Sequence, residues 1–362
     1  MNYTARINKI RNILSQNGID AIFATSAANL TYLSGFIPLS PTEREAYLFI
    51  TKKSASILTS PLYAQEVNTS DFSLKLLSGK QSLSVHMQEI IKNESVKSVG
   101  FEEDDLKFFE YEGLAKKDIP LIAMRLDGLR VRKDTEEIAY IAKACAIGDL
   151  AFTHVLSIIT PGITETDIAL ELELFVRKQR ATLSFPSIVA FGKQAAVPHH
   201  VTGETTVKKD EFVLLDFGVK VHGYCSDMSR TVFVGSPTNK QKHMYETVRV
   251  AQEKAIEYIS SGHAEEKSIH AATADKIARD YITSHGFPSF PHSLGHGIGL
   301  EVHEEPSLSP YSKDVLENDM VFSVEPGIYL PGQAGIRIED LLVIETAKPR
   351  LLTNAPKELI VI

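Results

Sequence analysis

The sequence predicts an α+β protein in two domains, a smaller α/β segment followed by a larger one organised around two acid-bearing hairpins. Three observations lead there. The chain has 362 residues, more than one hydrophobic core usually serves, so two domains are expected. Strand-like and helix-like stretches alternate to about residue 122, the pattern of a layered α/β unit. Further on, two strand–turn–strand segments each carry a pair of carboxylates.

Along the chain, Ile7, Ile10, Ile13 and Leu14 have helical spacing, and Asn17-Gly18 stops that helix. Residues 20–25 read as a short apolar strand, and Asn29-Leu-Thr-Tyr-Leu-Ser-Gly-Phe36 follows. Residues 46–51 and 55–58 read as further strands separated by Lys52-Lys53-Ser54. The first domain is therefore expected over 1–122, with a basic connector over 123–133 and the second domain over 134–362. Asp134 and Glu137 have the form of a capping box, after which Ile138, Ile141 and Cys145 give one apolar helix face. Thr160-Pro161-Gly162 ends that helix, and Thr164 caps the next, which runs through Leu170 and Leu174. Residues 185–191 read as a strand, Pro198-His199-His200 comes before the first acidic hairpin, and helices are expected around 240–260 and 267–284.

Composition narrows the class. Hydrophobic residues make up 43% and charged residues 23% of the chain, as in an ordinary soluble protein. The net charge of −8 argues against nucleic-acid and anionic-membrane partners. No apolar stretch approaches the roughly 18–20 residues of a transmembrane helix, and the N-terminus lacks a signal-peptide core. Two cysteines, Cys145 and Cys225, suit a reducing compartment. A cytoplasmic location is the expectation.

The chemistry is carried by five residues. Asp216 lies in Leu-Leu-Asp-Phe-Gly and Asp227 in Cys-Ser-Asp-Met-Ser-Arg-Thr, about a turn at Val221-His222. Glu325 lies in Val-Glu-Pro-Gly-Ile-Tyr and Glu339 in Arg-Ile-Glu-Asp, with their midpoint at Gly332. In a hairpin, residues equidistant from the turn face each other, their Cβ atoms about 4.5–5.5 Å apart. Each hairpin would therefore bring two carboxylates together, and unneutralised pairs repel or stay partly protonated. His296 sits between the hairpins in Gly-His-Gly-Ile-Gly-Leu. Four carboxylates and one imidazole can hold two divalent cations, which balance the charge and make hydroxide attack an amide near neutral pH. A lone aspartate at a strand end is usually a turn former, but Asp216 lies in an apolar run where an unpaired carboxylate is costly.

The other histidines are less defined by spacing. His303 follows His296 by seven residues and reads as catalytic, whereas His292, four residues before His296, has a structural reading on spacing alone. His199 has a surface-loop reading beside a functional one. Arg337 lies two residues before Glu339, on the same strand face. It can orient the acids by a salt bridge, contact substrate, or do both.

These motifs, in this order over residues 134–362, resemble the M24 metallopeptidases, the pita-bread group that includes methionine aminopeptidase, aminopeptidase P and prolidase. The resemblance implies a C-terminal pita-bread (creatinase/aminopeptidase-like) catalytic domain. It implies metal ligation by Asp216, Asp227, His296, Glu325 and Glu339, with Asp227 and Glu339 bridging. It gives His199 and His303 contacts to substrate and to the developing tetrahedral intermediate, Glu325 a proton-shuttling role, and His292, Tyr329 and Arg337 accessory places. Residues 1–122, with Asn29–Phe36, resemble the creatinase/prolidase N-terminal domain, which implies action on Xaa-Pro bonds of proline-containing peptides, and a homodimer. The expected cofactor is two divalent ions per chain, manganese first, with cobalt or zinc as alternatives.

Within that branch, prolidases often carry an arginine four residues after the histidine matching His303, where this chain has Ser307. That difference favours an aminopeptidase that releases the N-terminal residue from peptides with proline second. An Xaa-Pro dipeptidase (prolidase) is the alternative, creatinase a lesser one. A non-catalytic pita-bread binding module is a remote reading, because such relatives lose ligand positions and all five are present here.

Overall fold

A computed structural model describes residues 1–40, 42–67 and 70–362. The chain divides into two compact units, Met1–Leu129 and Arg130–Ile362.

The first unit is built on a six-stranded sheet in the order Ser73–Leu76, Ala55–Thr59, Ala46–Thr51, Ala21–Ala24, Val99–Glu102, Leu121–Met124. Ala21–Ala24, Ala46–Thr51 and Ala55–Thr59 pair antiparallel, and the other strands join in parallel. Phe23, Phe49, Leu58, Met87 and Val99 fill its core. Asn29–Phe36 contains most of the helix Ala27–Ser34, which ends on Gly35 in the left-handed region. The Asn29 amide donates to the buried Glu102 carboxylate, which ties that helix to the sheet. Residues 121–124 pair with residues 99–102, so the sheet runs past residue 122 into the stretch read as a connector.

In the second unit the helices begin where the caps place them. Asp134 accepts from the Glu136 and Glu137 amides at the head of Thr135–Leu156, and Thr164 accepts from Asp167 at the head of Glu165–Lys178. The expected strand over 185–191 is shorter, Ile188–Phe191, because Pro186 has no N–H for a ladder. Among the described residues one helix, Thr135–Leu156, is long and apolar enough by composition to cross a membrane, although the sequence shows no unbroken apolar run. Half of it is buried, and Ala144, Phe152 and Val155 pack in the core of this unit.

The two acidic hairpins have different registers from one another. Glu211–Phe217 pairs with Met228–Val234 so that Asp216 lies opposite Ser229. His222 and Gly223, with φ of 50° and 86°, form the turn, one residue beyond the expected Val221-His222. A two-residue turn of this hand needs two positive φ angles, and glycine takes the second without strain. The one-residue displacement of the turn moves the partner by two, so Asp227 is diagonal to Asp216 rather than opposite, still on the same face. The second hairpin has the expected centre: Gly327–Leu330 pairs with Ala334–Arg337 about Gly332, and Val324 pairs with Asp340 in the same register. Glu325 and Glu339 face each other in the gap between the two ladders.

Each hairpin has its own pair of covering helices. Thr135–Leu156 and Glu165–Lys178 pack on the first through Phe152, Leu172, Leu215, Phe217 and Val232. Asn239–Ala264 and Ala271–Ser284 pack on the second half through Tyr245, Val248, Ala274, Phe322 and Leu342. A buried ion pair joins the halves. Arg230 reaches Asp340 at 2.6 Å and also donates to the carbonyls of Ser229, Ala355 and Pro356. Asp340 further accepts from Thr353 at 2.6 Å and pairs with Lys357 at 3.2 Å. Removing one member of such a pair leaves a buried charge uncompensated. Arg230→Met is expected to lower stability by about 3–5 kcal/mol, read from urea unfolding midpoints at unchanged slope.

Candidate metal centre

The centre lies where the two hairpins meet. Asp227, His296 and Glu339 each present a ligand atom within 4.8 Å of the others. His296 Nε2 is 3.2 Å from Glu325 Oε1 and 3.8 Å from Asp227 Oδ2. Asp216 completes the group from the first hairpin, its Oδ2 held by the Arg337 guanidinium. All five residues named as ligands by resemblance are therefore brought together.

Local structure explains how His296 gets there. It lies on the strand Gly295–Gly297, between Glu304–Leu308 and Val321–Val324. A Cβ at position 295 would fall 1.9 Å from the Ser323 carbonyl oxygen, and one at 297 would fall 2.1 Å from that of Glu305. The flanking glycines thus admit two neighbouring strands. The His296 Nδ1–H donates to the Gly297 carbonyl at 3.1 Å, which turns Nε2 towards the carboxylates.

The electrostatics follow from burial and crowding. Burial and repulsion from Asp216 hold the Asp227 carboxyl well above the usual range. Burial, with Asp227 and Glu325 nearby, does the same to Glu339. For Glu325 burial works upward, but the His296 hydrogen bond outweighs it and brings the value to about 2. Burial would lower His296, yet Glu325 overrides this and lifts it to about 9. Three buried oxygens, Asp216 Oδ1, Asp227 Oδ1 and Glu339 Oε1, have no hydrogen-bond partner among the described residues. Buried acceptors are nearly always partnered. Three unmatched carboxylate oxygens converging beside an imidazole are the donor set of a divalent cation, so the residues present fit the expected metal.

Two serines brace the acids. Ser229 Oγ donates to Glu339 at 3.0 Å and accepts from Arg337 Nε at 2.7 Å. Ser323 Oγ donates to Glu325 at 3.0 Å and accepts from the His296 amide at 3.1 Å. The sequence reading overlooked both. Their signal was there: each lies two residues from a candidate ligand, the spacing of one strand face, and Ser323 is a polar residue inside an apolar run.

The accessory residues form one chain of hydrogen bonds. Arg337 Nη1 donates to the Tyr329 hydroxyl at 2.9 Å, and that hydroxyl is 2.9 Å from His292 Nε2. His292 Nδ1 meets the Ser293 carbonyl at 2.8 Å, so Nδ1 carries the proton and Nε2 accepts from Tyr329. Burial lowers His292 and lifts Tyr329 to about 12, which keeps both neutral. His303 is exposed, its ring 4.3 Å from that of His296 and roughly perpendicular to it. Burial of part of the imidazole, then the charge of His296, lowers its pKa. His199 is also exposed, on the loop after Gly192–Ala196, and its charge acts on His303. His200 turns away to Glu165 at 2.9 Å.

Carboxylates on two braced hairpins, with an imidazole from the strand between them, are the arrangement of a metal-dependent protein. Residues 139–346 match metallopeptidase family M24, and residues 6–120 match the creatinase/prolidase N-terminal domain. The chain is 35% identical to an Xaa-Pro dipeptidase of Pyrococcus horikoshii, over 98% of each chain. It superposes on the structure of an Xaa-Pro dipeptidase from Bacillus anthracis with a TM-score of 0.92 at 35% identity, covering 100% of both chains. An X-Pro aminopeptidase from Thermotoga maritima is also similar, with a TM-score of 0.87 and 30% identity over 98% of this chain and 99% of that one. This chain belongs to metallopeptidase family M24: a pita-bread catalytic domain preceded by a creatinase/prolidase N-terminal domain.

As ligands of a cation, His296, Asp227 and Glu339 would give up protons on binding. Because His296 is raised to about 9, it holds its proton below that pH, so metal affinity is expected to rise as pH increases towards 9. Titration calorimetry with manganese in buffers of different ionisation enthalpy should show net proton release. A heat independent of the buffer would contradict the assignment of these groups.

Proposed function

We propose that this protein is an Xaa-Pro dipeptidase with a dinuclear metal centre held by Asp216, Asp227, His296, Glu325 and Glu339. The observation that carries the reading is the likeness to Xaa-Pro dipeptidases along the whole chain, combined with five convergent donors. The sequence by itself favoured an aminopeptidase on the strength of Ser307. That residue pairs across the ladder with His296, and its amide is bound by Asp314 at 3.0 Å. One missing arginine removes one way of holding a terminal carboxylate, which is weaker evidence than similarity over the full length. Ser307 and the Thermotoga relative keep the aminopeptidase as the second reading.

When bound, two cations would act as Lewis acids and make hydroxide available near neutral pH. Manganese suits four carboxylates and one imidazole, with cobalt and zinc as alternatives. The chain's own residues do the rest. Glu325, kept anionic by His296, accepts a proton and passes it to the proline nitrogen of the scissile bond. His303, kept neutral, donates a hydrogen bond to the oxygen that gains charge in the transition state. His199, across from it, contacts substrate. Arg337 is occupied by Asp216, Ser229, Tyr329 and the Pro198 carbonyl, so it orients the acids and is not free to clamp a substrate carboxylate.

Xaa-Pro dipeptides and Xaa-Pro-Yaa tripeptides, compared at equal manganese loading, decide between the two readings. The expected result is a higher kcat/KM for dipeptides. Efficient tripeptide cleavage with poor dipeptide turnover would make the aminopeptidase reading correct.

His303→Ala is expected to retain metal and lose about 10²–10³ in kcat, as for one oxyanion donor. Metal content by mass spectrometry alongside the kinetics separates this from a ligand role.

A further inference from the structure

His199 is exposed on a loop with no strand ladder of its own, yet its proposed task needs a fixed imidazole. A side chain outside the candidate ligand set fixes the ends of this loop. Glu165, the first residue of the helix Glu165–Lys178, is fully buried. Its Oε1 accepts the Phe191 amide at 3.0 Å, where the loop leaves its strand. Its Oε2 accepts the Gly203 amide at 3.0 Å and His200 Nε2 at 2.9 Å, where the loop returns. One carboxylate therefore ties both ends of the 192–203 segment. Around it, Thr166 Oγ1 donates to the Gly203 carbonyl at 2.8 Å, and Thr202 Oγ1 donates to the Ser187 carbonyl at 2.8 Å. On the other side, Arg337 holds the Pro198 carbonyl at 3.3 Å. His199 is thus caught between a residue bound to Arg337 and a residue bound to Glu165.

We propose that Glu165, acting through His200, is a positioning residue that sets His199 opposite His303 for substrate. Burying a carboxylate is costly unless it is fully bonded, and these three bonds are charge-assisted. Loop amides away from water need acceptors, and a neutral side chain could not accept from all three donors at this spot. The inference rests on the proposed role of His199 as a substrate contact.

The test is a double-mutant cycle with Glu165→Gln and His199→Ala in the full-length, manganese-loaded enzyme, with an Xaa-Pro peptide as substrate. Glu165→Gln alone is expected to lower kcat by about tenfold or more with metal content unchanged. In the His199→Ala background the same substitution is expected to change kcat less than about twofold, because its effect passes through His199. Equal losses in both backgrounds, or no loss in either, would overturn the proposal. So would a silent His199→Ala, a result that leaves Xaa-Pro cleavage itself standing. If Glu165→Gln does not fold, His200→Gln takes its place in the cycle with the same expectations. A readout independent of turnover is the His199 imidazole signal in histidine-labelled protein: Glu165→Gln should shift or broaden it, and an unmoved signal would count against the inference.

Discussion

Mutual repulsion among four carboxylates forced into one buried space is the constraint on which this structure turns. Asp216, Asp227 and Glu339 are buried and converge with the part-buried Glu325, and like charges at such range cannot all ionise unaided. Arg337 answers Asp216, and His296 answers Glu325. The remaining oxygens of Asp216, Asp227 and Glu339 have no hydrogen-bond partner among the described residues, an excess of negative acceptors that divalent cations would answer. Much of the surrounding architecture holds groups together that would otherwise separate.

The scaffold does this by covering each acidic hairpin with two helices and locking the halves together. The Arg230–Asp340 pair lies beyond the acids on both hairpins, while Ser323 fixes the Glu325 carboxylate from two residues away and Ser229 fixes that of Glu339 from the other hairpin. Asp216 and His296 consequently stand on strands, and Asp227, Glu325 and Glu339 at the junctions between strands, where packing determines the geometry. His199 and His303, in contrast, lie in exposed segments between elements, where a substrate can reach them. Such positions lack a ladder, so side chains such as Glu165 must supply their order.

Substrate choice depends on less of the molecule than the chemistry does. The donor set is shared by every reading within the peptidase branch, whereas dipeptide and longer substrates differ only in whether a carboxylate follows the proline. Ser307 points one way and the full-length similarity to Xaa-Pro dipeptidases the other. Recognition of one terminal group can be met by several arrangements of cations and hydrogen-bond donors, and a single substitution therefore weighs little.

What the sequence determined was local. Asp134-Glu137 and Thr164-Asp167 set helix starts through caps made within four residues, and Gly332 centred the second hairpin because its turn chemistry is contained in it. The four acids of the candidate centre stood out in the sequence because a carboxylate within an apolar run is costly to bury unless a positive charge meets it. Tertiary structure decided what needed distant partners. It placed Asp227 diagonal to Asp216, since the His222-Gly223 turn sets the register. It showed that the glycines beside His296 make room for strands, and joined Arg337, Tyr329 and His292 into one line of bonds. It brought Glu165 to a loop about thirty residues away. Contacts of that kind depend on how separate elements pack, which no spacing within a single segment records.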